Sequence, residues 1–313
     1  MTDYARLIDK ETWDFIRETE SWYPPVAVSR TVAEQRDVYN KLCRAFFRGY
    51  PDGVKATDLT ADGVPVREYI CADRNDAAVV FYLHGGGFVV GGLESHDDIC
   101  AEICAATGFT VVSADYRLAP EHVHPASYDD AVKAFDWVKS RHDRPVVLVG
   151  DSAGGNLCAA VSHTRRGDKI AGQVLIYPVL EHRDSGGSRD IHADAPMLTT
   201  ADMTYYEAVR TGGVIPSDDP RYMPMQDSHF DGLPPTVAVS AECDPLCDDA
   251  ERYCALLNDA GGRALCLREA GLVHGYLRAR RTVARAQVSF DRILKSVALL
   301  GAGQMPTSDD LDS

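Results

Sequence analysis

Residues 146–160 read VVLVGDSAGGNLCAA, and this stretch decides which fold the chain can adopt. Val146–Val149 is a short run of apolar residues, typical of a strand that is buried on both of its faces. The glycine-rich turn 150–154 follows, and apolar residues then recur at helical spacing as far as Thr164. The stretch therefore contains G-x-S-x-G between a strand and a helix, the setting in which this motif presents its serine, Ser152, as a nucleophile.

Two glycines flank Ser152 at equal distance, Gly150 before it and Gly154 after it. Because neither carries a Cβ atom, the strand and the helix can pass close to each other. The turn then raises the Ser152 hydroxyl at the carboxyl end of the strand, above the positive pole of the helix. The alternative is an ordinary strand-to-helix turn, but the strand–turn–helix context favours the nucleophile.

The composition of the 313 residues is that of a soluble globular protein, with 45% hydrophobic and 25% charged residues. The length suffices for one large α/β domain with insertions or for two domains. A formal net charge of −15 argues against nucleic-acid binding, since no basic stripe is present, and it disfavours docking on an anionic membrane. We therefore expect a small-molecule partner, with neither nucleic acid nor a membrane involved.

No segment indicates targeting, a membrane span or a cofactor. The N-terminus, MTDYARLIDKETWDF, lacks the apolar core of a signal peptide, which predicts a cytoplasmic protein. Nine cysteines are scattered without a C-x-x-C pair, typical of reduced thiols, and no histidine pattern completes a zinc site. The sequence also lacks a phosphate-binding loop, a G-x-G-x-x-G fingerprint and H-E-x-x-H, so we expect neither a cofactor nor a metal.

Predicted strands and helices alternate along most of the chain, which indicates an α/β fold with a mostly parallel sheet covered by helices on both faces. The predicted strands are two segments within 54–71, then 77–83, 109–114, 146–149, 172–177, 236–241 and 264–267. The predicted helices include 96–107, 128–139, 198–210 and 282–300. Three parts follow: a helical cap segment at 1–50, interrupted at Pro24-Pro25, a catalytic domain at 51–300 with a cap insertion at about 178–235, and a disordered tail at 301–313.

A serine nucleophile needs a base, an orienting acid and donors for the oxyanion, and on this fold the chain order is serine, acid, histidine. Of the ten histidines, only His274 follows the last predicted strand, in the loop 270–275. A capping or surface histidine is the alternative at this position, and the chain order favours the base.

Four carboxylates compete for the role of orienting acid directly after the predicted strand 236–241, namely Glu242, Asp244, Asp248 and Asp249. Asp244 precedes Pro245, which biases its backbone to an extended form outside a helix. Asp248 and Asp249 are typical of solvated charges in the first turn of a helix. We predict that Asp244 is the acid, with Glu242 as its closest rival.

The run Gly85-Gly86-Gly87 follows the predicted strand 77–83 and precedes Phe88. Without side chains in the way, its backbone N–H groups can approach a developing oxyanion to hydrogen-bond distance. A flexible turn is the alternative, but H-G-G-G upstream of G-x-S-x-G is the pairing expected of lipases and esterases. The run is therefore a candidate oxyanion hole.

Five stretches between about residues 31 and 280 carry a resemblance to a known family, namely FYLHGGGFVVGGLESHDD (81–98), DYRLAPEH (115–122), VGDSAGG (149–155), AECDPLCDD (241–249) and VHGY (273–276). They resemble the hormone-sensitive-lipase-like family of α/β-hydrolases, and within it the bacterial acetyl esterases. Two residues depart from the family pattern. His124 stands where an aromatic residue is usual, and Cys247 replaces the arginine that is common after Asp-Pro-Leu.

The resemblance implies an α/β-hydrolase fold whose lid comes from the N-terminal helices and from the insertion. The implied triad is Ser152, Asp244 and His274. The implied oxyanion donors are the backbone amides of Gly86, Gly87 and Ala153. The family further implies an esterase without a cofactor, either a monomer or a homodimer, since its last strand can pair with its twin.

We predict a carboxylic ester hydrolase for short acyl groups, acetyl to butyryl, partly from the resemblance to acetyl esterases and partly from the sequence. Residues 1–23 are mixed and carry charged residues throughout, so they offer no broad apolar face to a lipid surface. The bulky candidates for the wall of the acyl pocket are Phe88, Met197, Tyr205 and Tyr206. A non-catalytic small-molecule receptor and a lyase on the same fold are the alternatives. A metal site at Glu121, His122 and His124 is a further alternative, which the family resemblance of that loop disfavours.

Overall fold

The computed structural model describes residues 2–23, 31–182 and 186–312, so the predicted break at Pro24-Pro25 lies outside the described residues. Within them, one sheet has the strand order β1-β2-β4-β3-β5-β6-β7-β8. Its strands are β1 (Lys55–Ala61), β2 (Val64–Ile70), β3 (Val79–Leu83), β4 (Thr110–Ala114), β5 (Val146–Asp151), β6 (Ile170–Ile176), β7 (Thr236–Cys243) and β8 (Ala264–Val273).

Strand pairing is parallel from β4 through β8 in this spatial order, and only β2 pairs antiparallel, with β1 and with β4. The sheet is therefore mostly parallel, as predicted. The strand order reverses at β3, which lies between β4 and β5, and ligands of open α/β sheets bind at such a point. There Leu83 pairs with Gly150, so the glycine run and the G-x-S-x-G turn leave the sheet side by side.

Helices cover both faces of the sheet, and none of those described is long and apolar enough to cross a bilayer. Their bounds are α1 (Tyr4–Leu7), α2 (Lys10–Ser21), α3 (Val32–Phe46), α4 (Asp97–Thr107), α5 (Ala126–Arg141), α6 (Ala153–Thr164), α7 (Ser188–Ile191), α8 (Thr200–Thr211), α9 (Cys247–Asp259), α10 (Ala284–Gly301) and α11 (Ser308–Asp312).

The sheet separates two hydrophobic cores, and the side chains of β5 alternate between them because strand residues point to opposite faces. Val147 and Val149 join the core that includes apolar residues of α4 and α10. Val146 and Leu148 join the core of α5, α6 and α9. This two-sided burial explains why β5 is apolar at every position before its turn.

Helices α3 and α8 pack on a third, smaller core beyond the carboxyl ends of the strands, at Val89, Val90 and Ala119. Arg36 of α3 fixes this contact, since its guanidinium donates to the carbonyls of Val89 (2.8 Å) and Ala119 (2.9 Å). The two helices come from the N-terminal segment and from the segment after β6, and together they cover the loop that contains the glycine run.

The prediction of a disordered tail is wrong for the described residues. Residues 308–312 form the short helix α11, and Leu311 is only 3% exposed. Thr307 and Asp310 cap this helix, and the Asp312 carboxylate pairs with Arg292 of α10 at 2.7 Å. The prediction rested on the many acidic residues of the tail and overlooked the apolar side chains of Met305, which packs against the core, and Leu311.

Candidate active site

Ser152 lies between β5 and α6 in a backbone conformation that side chains rarely adopt, with φ 53° and ψ −117°. Its amide donates to the carbonyl of Ile176 at 2.8 Å, which anchors the turn on the neighbouring strand β6. At Gly154 a Cβ atom would collide with the Leu83 carbonyl oxygen, so the close approach of α6 and β3 requires glycine there. The sequence prediction of a tight strand–turn–helix element is confirmed.

The three predicted triad residues come together in hydrogen-bonded order. His274 Nε2 lies 2.9 Å from Ser152 Oγ, and His274 Nδ1 lies 2.7 Å from Asp244 Oδ2. Asp244 is fully buried, and its other carboxylate oxygen accepts the Leu246 amide at 2.9 Å. The His274 side chain is 13% exposed, so it borders a cleft rather than the core.

Glu242, the rival for the orienting acid, points elsewhere. Its carboxylate accepts the amide of Gly271 at 2.7 Å, near the end of β8 and three residues before His274. The strand end thus uses two acids in different ways, since Asp244 contacts the imidazole and Glu242 contacts the backbone that carries it.

The prediction that Asp249 is a solvated helix charge is wrong. It is fully buried and pairs with Arg189 at 3.1 Å, and its carboxylate also accepts the Leu180 amide at 2.9 Å. Burial raises the pKa of Asp249 to about 6, although the Arg189 guanidinium opposes that change. Asp248 is partly exposed and accepts the Ser188 amide at 2.8 Å. The Asp249–Arg189 pair and the Asp248–Ser188 contact each join residues 60 positions apart, so no local sequence pattern could have predicted them.

The predicted oxyanion donors border the space beside Ser152. Gly86 has φ 128°, and a Cβ atom there would collide with the Val90 carbonyl oxygen. The Gly86 carbonyl accepts the amides of Val89 and Val90 at 3.0 Å each, which closes the loop into a tight turn. Ala153 is the first residue of α6, so its N–H has no acceptor within the helix.

Asp151 anchors this loop by hydrogen bonds, a role that no sequence motif predicted. Its carboxylate accepts the Gly85 amide at 3.0 Å and the Tyr82 hydroxyl at 2.8 Å, and it lies 3.2 Å from His96 Nε2. Burial would raise the pKa of Asp151, but the His96 imidazole and the Tyr82 hydroxyl lower it to about 2. An ionised Asp151 therefore holds the glycine run against the serine turn.

Comparison with known proteins agrees with this geometry. A family model described as the alpha/beta hydrolase fold matches residues 80–278. The esterase LipI of Mycobacterium tuberculosis is 37% identical over 242 residues, which are 72% of this chain and 75% of that protein. A crystal structure of an esterase from the bacterial hormone-sensitive lipase family superposes with a TM-score of 0.84 at 25% identity, over 95% of this chain and 99% of that one. This chain belongs to the hormone-sensitive-lipase-like family of α/β-hydrolases.

A second relative has a name that specifies its substrate. The ethyl acetate hydrolase of Pseudomonas putida is 30% identical over 266 residues, which are 79% of this chain and 83% of that protein. The predicted α/β-hydrolase fold and family are therefore both confirmed.

Two cavities meet at Ser152 in this α/β-hydrolase. The α8 cavity is lined by Ser152 and Ala153 together with Phe88, Val179, Leu198, Met203, Tyr206, Glu207, Arg210 and Tyr222, among others. The α3 cavity is lined by Ser152 and His274 together with Tyr39, Gly86, Gly87, Tyr177, Met197, Tyr206 and Arg278, among others. Of the residues predicted for the wall of the acyl pocket, Phe88 lines the α8 cavity, Met197 lines only the α3 cavity and Tyr206 lines both.

The prediction that Tyr205 lines the pocket is wrong. Its side chain is 40% exposed, and its hydroxyl accepts a hydrogen bond from Gln35 Nε2 of α3 at 2.7 Å. Its ring packs edge-on against Tyr206, with the centroids 5.5 Å apart. Successive residues of a helix point in different directions, so only one of the two adjacent tyrosines of α8 can face the cleft.

The two departures from the family pattern are accommodated by local contacts. His124 Nε2 lies 3.1 Å from Asp219 Oδ2, and the ring packs edge-on against Tyr222. Cys247, which replaces the arginine common after Asp-Pro-Leu, accepts a hydrogen bond from Arg268 Nε at 3.0 Å. An arginine from β8 therefore lies beside this position although the position itself has none. Neither departure disturbs the contact between Asp244 and His274.

The structure does not bring Glu121, His122 and His124 together. Glu121 pairs with Arg36 at 2.7 Å, His122 is exposed, and His124 faces Asp219. Over residues 2–23, 31–182 and 186–312 there is no group of three or more side chains that could hold a metal ion.

Proposed function

We propose that this carboxylic ester hydrolase uses Ser152 as its nucleophile, His274 as its base and Asp244 as the orienting acid. The observation that carries the proposal is the hydrogen-bonded series from Ser152 Oγ to His274 (2.9 Å) and from His274 to Asp244 (2.7 Å). Neutral His274 accepts the Ser152 proton as the oxygen attacks the acyl carbon. Asp244 accepts the Nδ1–H of His274, which fixes the tautomer and stabilises the imidazolium.

The amides of Gly86, Gly87 and Ala153 are the proposed donors to the oxyanion of the tetrahedral intermediate. Backbone donors held by a tight turn and a helix start need little reorganisation as charge develops, and each such donor contributes about 2.7–4 kcal/mol. The alcohol leaves with the proton from His274. Water then attacks the acyl-enzyme, with His274 again as the base, and releases the acid.

The two cavities take the two halves of the ester in this proposal. Because the leaving oxygen must receive a proton from His274 Nε2, the alcohol lies in the α3 cavity, which His274 lines. The acyl group then lies in the α8 cavity, which Ser152 and Ala153 line without His274.

Short acyl groups, from acetyl to butyryl, are the proposed substrates. Phe88 and Tyr206 are bulky side chains in the wall of the α8 cavity, and the Pseudomonas putida relative is an ethyl acetate hydrolase. A monomer or a homodimer, and a cytoplasmic location, stay predictions from the sequence.

A serine-reactive fluorophosphonate tests the nucleophile directly. The wild-type chain should be labelled at Ser152, and Ser152→Ala should abolish both labelling and hydrolysis of p-nitrophenyl acetate. Ser140→Ala, which removes an exposed hydroxyl on α5, is the control and should change neither. A chain that is not labelled and hydrolyses no ester would instead be a small-molecule receptor.

A further inference from the structure

Arg210 of α8 is a buried cation in the wall of the α8 cavity, and it is only 2% exposed. Its guanidinium carbon lies 3.5 Å from the ring centroid of Phe88 and 4.6 Å from that of Tyr222. Its Nη2 donates to Asn156 Oδ1 at 3.1 Å. Burial lowers the pKa of Arg210 to about 10, which leaves the guanidinium charged at neutral pH.

The other charged groups in the wall of this cavity each have a partner of opposite charge or a strong hydrogen bond. Glu181 pairs with Arg252 at 2.9 Å. Arg189 pairs with Asp249 at 3.1 Å. Glu207 accepts the Tyr222 hydroxyl at 2.6 Å and faces His182 at 2.7 Å.

Arg210 differs from them because no carboxylate among the residues that the structure describes lies within ion-pair distance of it, and Glu207 and Asp219 act on its charge only from further away. Its Nε and Nη1 are buried without an acceptor in the same described set. Two nitrogens without an acceptor on a charged, buried group cost stability unless something else accepts their N–H groups. The rings of Phe88 and Tyr222 stabilise the charge, but they accept no conventional hydrogen bond.

We infer that the α8 cavity selects esters whose acyl group carries a carboxylate at its far end, so that the substrates include monoesters of short dicarboxylic acids. The inference rests on the proposed function, because it needs the acyl group to lie in the α8 cavity. A carboxylate suits Arg210 because an ionised acceptor would neutralise the buried charge and accept a charge-assisted hydrogen bond from a guanidinium N–H that has no acceptor in the described residues.

The wild-type protein tests the inference without any substitution. Monoethyl succinate and ethyl 4-methylpentanoate have nearly the same shape, since an isopropyl group replaces the carboxylate of the former. We expect kcat/KM to be at least about tenfold higher for monoethyl succinate, the lower end of what one hydrogen-bonded charge pair provides. Equal values for the two esters, or a preference for the neutral one, would overturn the inference. Monoethyl glutarate extends the comparison by one methylene.

Substitution of Arg210 then shows whether this residue carries the preference. Arg210→Met should lower the ratio of the two kcat/KM values by roughly ten- to a hundredfold, and Arg210→Lys should retain part of it. A merely structural arginine would lower both values by the same factor and leave the ratio unchanged, which would contradict the inference.

Arg280→Met is the control for the loss of a buried arginine, since Arg280 also lies beside an aromatic ring, Phe290, but away from both cavities, and unlike Arg210 it pairs with Asp98 and Glu102. It should leave the ratio unchanged. Failure of the wild-type protein to hydrolyse any ester, p-nitrophenyl acetate included, would overturn the proposed function together with this inference. Hydrolysis of p-nitrophenyl acetate without the preference for the carboxylate would overturn the inference alone.

Discussion

Ser152 occupies a backbone conformation that costs a non-glycine residue about 1–3 kcal/mol, so its surroundings must hold it in place. The Ile176 carbonyl fixes its amide, and Asp151, directly before it, binds the Gly85 amide. The same turn therefore positions the nucleophile and the neighbouring glycine run. A substitution at Asp151 should therefore disturb both at once.

The choice between the two acids after β7 gives the sharpest prediction for a single residue. Asp244→Asn should lower kcat by roughly 10⁴-fold, because an amide at this place favours the wrong tautomer of His274. Glu242→Gln should cost far less, because its amide oxygen can still accept the Gly271 N–H. Steady-state kinetics of both variants on p-nitrophenyl acetate is the measurement. An inactive Glu242→Gln beside a nearly normal Asp244→Asn would reverse the assignment.

The sequence sufficed to bring the three triad candidates together because the order of elements in this fold restricts where each can lie. Chain order left one histidine, and Pro245 singled out Asp244. The contacts of Arg210, Asp249 and Asp151 could not be predicted in this way. Each joins residues more than 50 positions apart, and such pairs become visible only when the packing is known.

Among the elements, the bounds of the buried strand β5 were predicted more closely than those of the edge strand β8. The apolar run of β5 is unmistakable, but β8 was predicted to end at Leu267 and extends to Val273. Charged residues interrupt the apolar pattern of β8, and one of them, Glu269, is nevertheless buried and pairs with Arg292 at 3.0 Å. A hydropathy pattern treats such a residue as exposed, because the arginine that neutralises it comes from α10.

The short helix α11 gives a prediction at the scale of an element. Leu311 is the buried residue of this helix, so Leu311→Ala should lower the free energy of unfolding by about 2 kcal/mol or more. Urea denaturation measures this change. In a disordered tail the same substitution would have no effect.

Leu256→Ala is a suitable control for that experiment, because Leu256 of α9 is 37% exposed. The same atoms are removed, yet little burial is lost, and we expect a change within about 0.5 kcal/mol. Equal effects of the two substitutions would contradict the docking of α11.

At the scale of the whole molecule, the free energy of unfolding depends on pH because some carboxylates have a lower pKa in the folded state than in the unfolded state. Glu68 of β2 lies 3.4 Å from His142 Nε2 and 3.1 Å from Arg141 Nε, and these contacts lower its pKa to about 2. Asp219 likewise has a pKa of about 2, since Arg221 and His124 outweigh the effect of its burial. Because these groups bind protons more weakly when folded, their contribution is fully present above their unfolded pKa and is lost as the pH falls toward 2.

Glu68→Gln isolates one such group. Above about pH 5 the variant should be less stable than the wild type by on the order of 1–2 kcal/mol, and the difference should shrink steadily as the pH is lowered toward 2. Urea denaturation at a series of pH values gives the difference. The exposed Glu251→Gln is the control, with a small difference at every pH. A difference for Glu68→Gln that does not vary with pH would mean that the lost contribution is not its charge.

The longest acyl chain that fits depends on how separate parts of the molecule come together, because Ser152 follows β5 of the sheet and α8 closes the cavity beside it. Each methylene that fits should gain ~0.8 kcal/mol, about fourfold in kcat/KM, until the chain meets the wall. On neutral p-nitrophenyl esters we therefore expect a maximum between acetate and butyrate and little activity on laurate. A maximum at octanoate or beyond, or activation by an emulsion interface, would indicate a lipase instead.

The adjacent tyrosines of α8 provide a matched pair for locating that wall. Tyr206 lines both cavities, and its ring lies so close to Gly87 that a Cβ atom there would collide with it. Tyr206→Ala should move the maximum to longer chains, because space opens beside the acyl group. Tyr205→Ala removes the same group from an exposed position and should leave the maximum where it is. A shift in the Tyr205 variant alone would mean that α8 turns its other face to the substrate, and the wall would then have to be sought there.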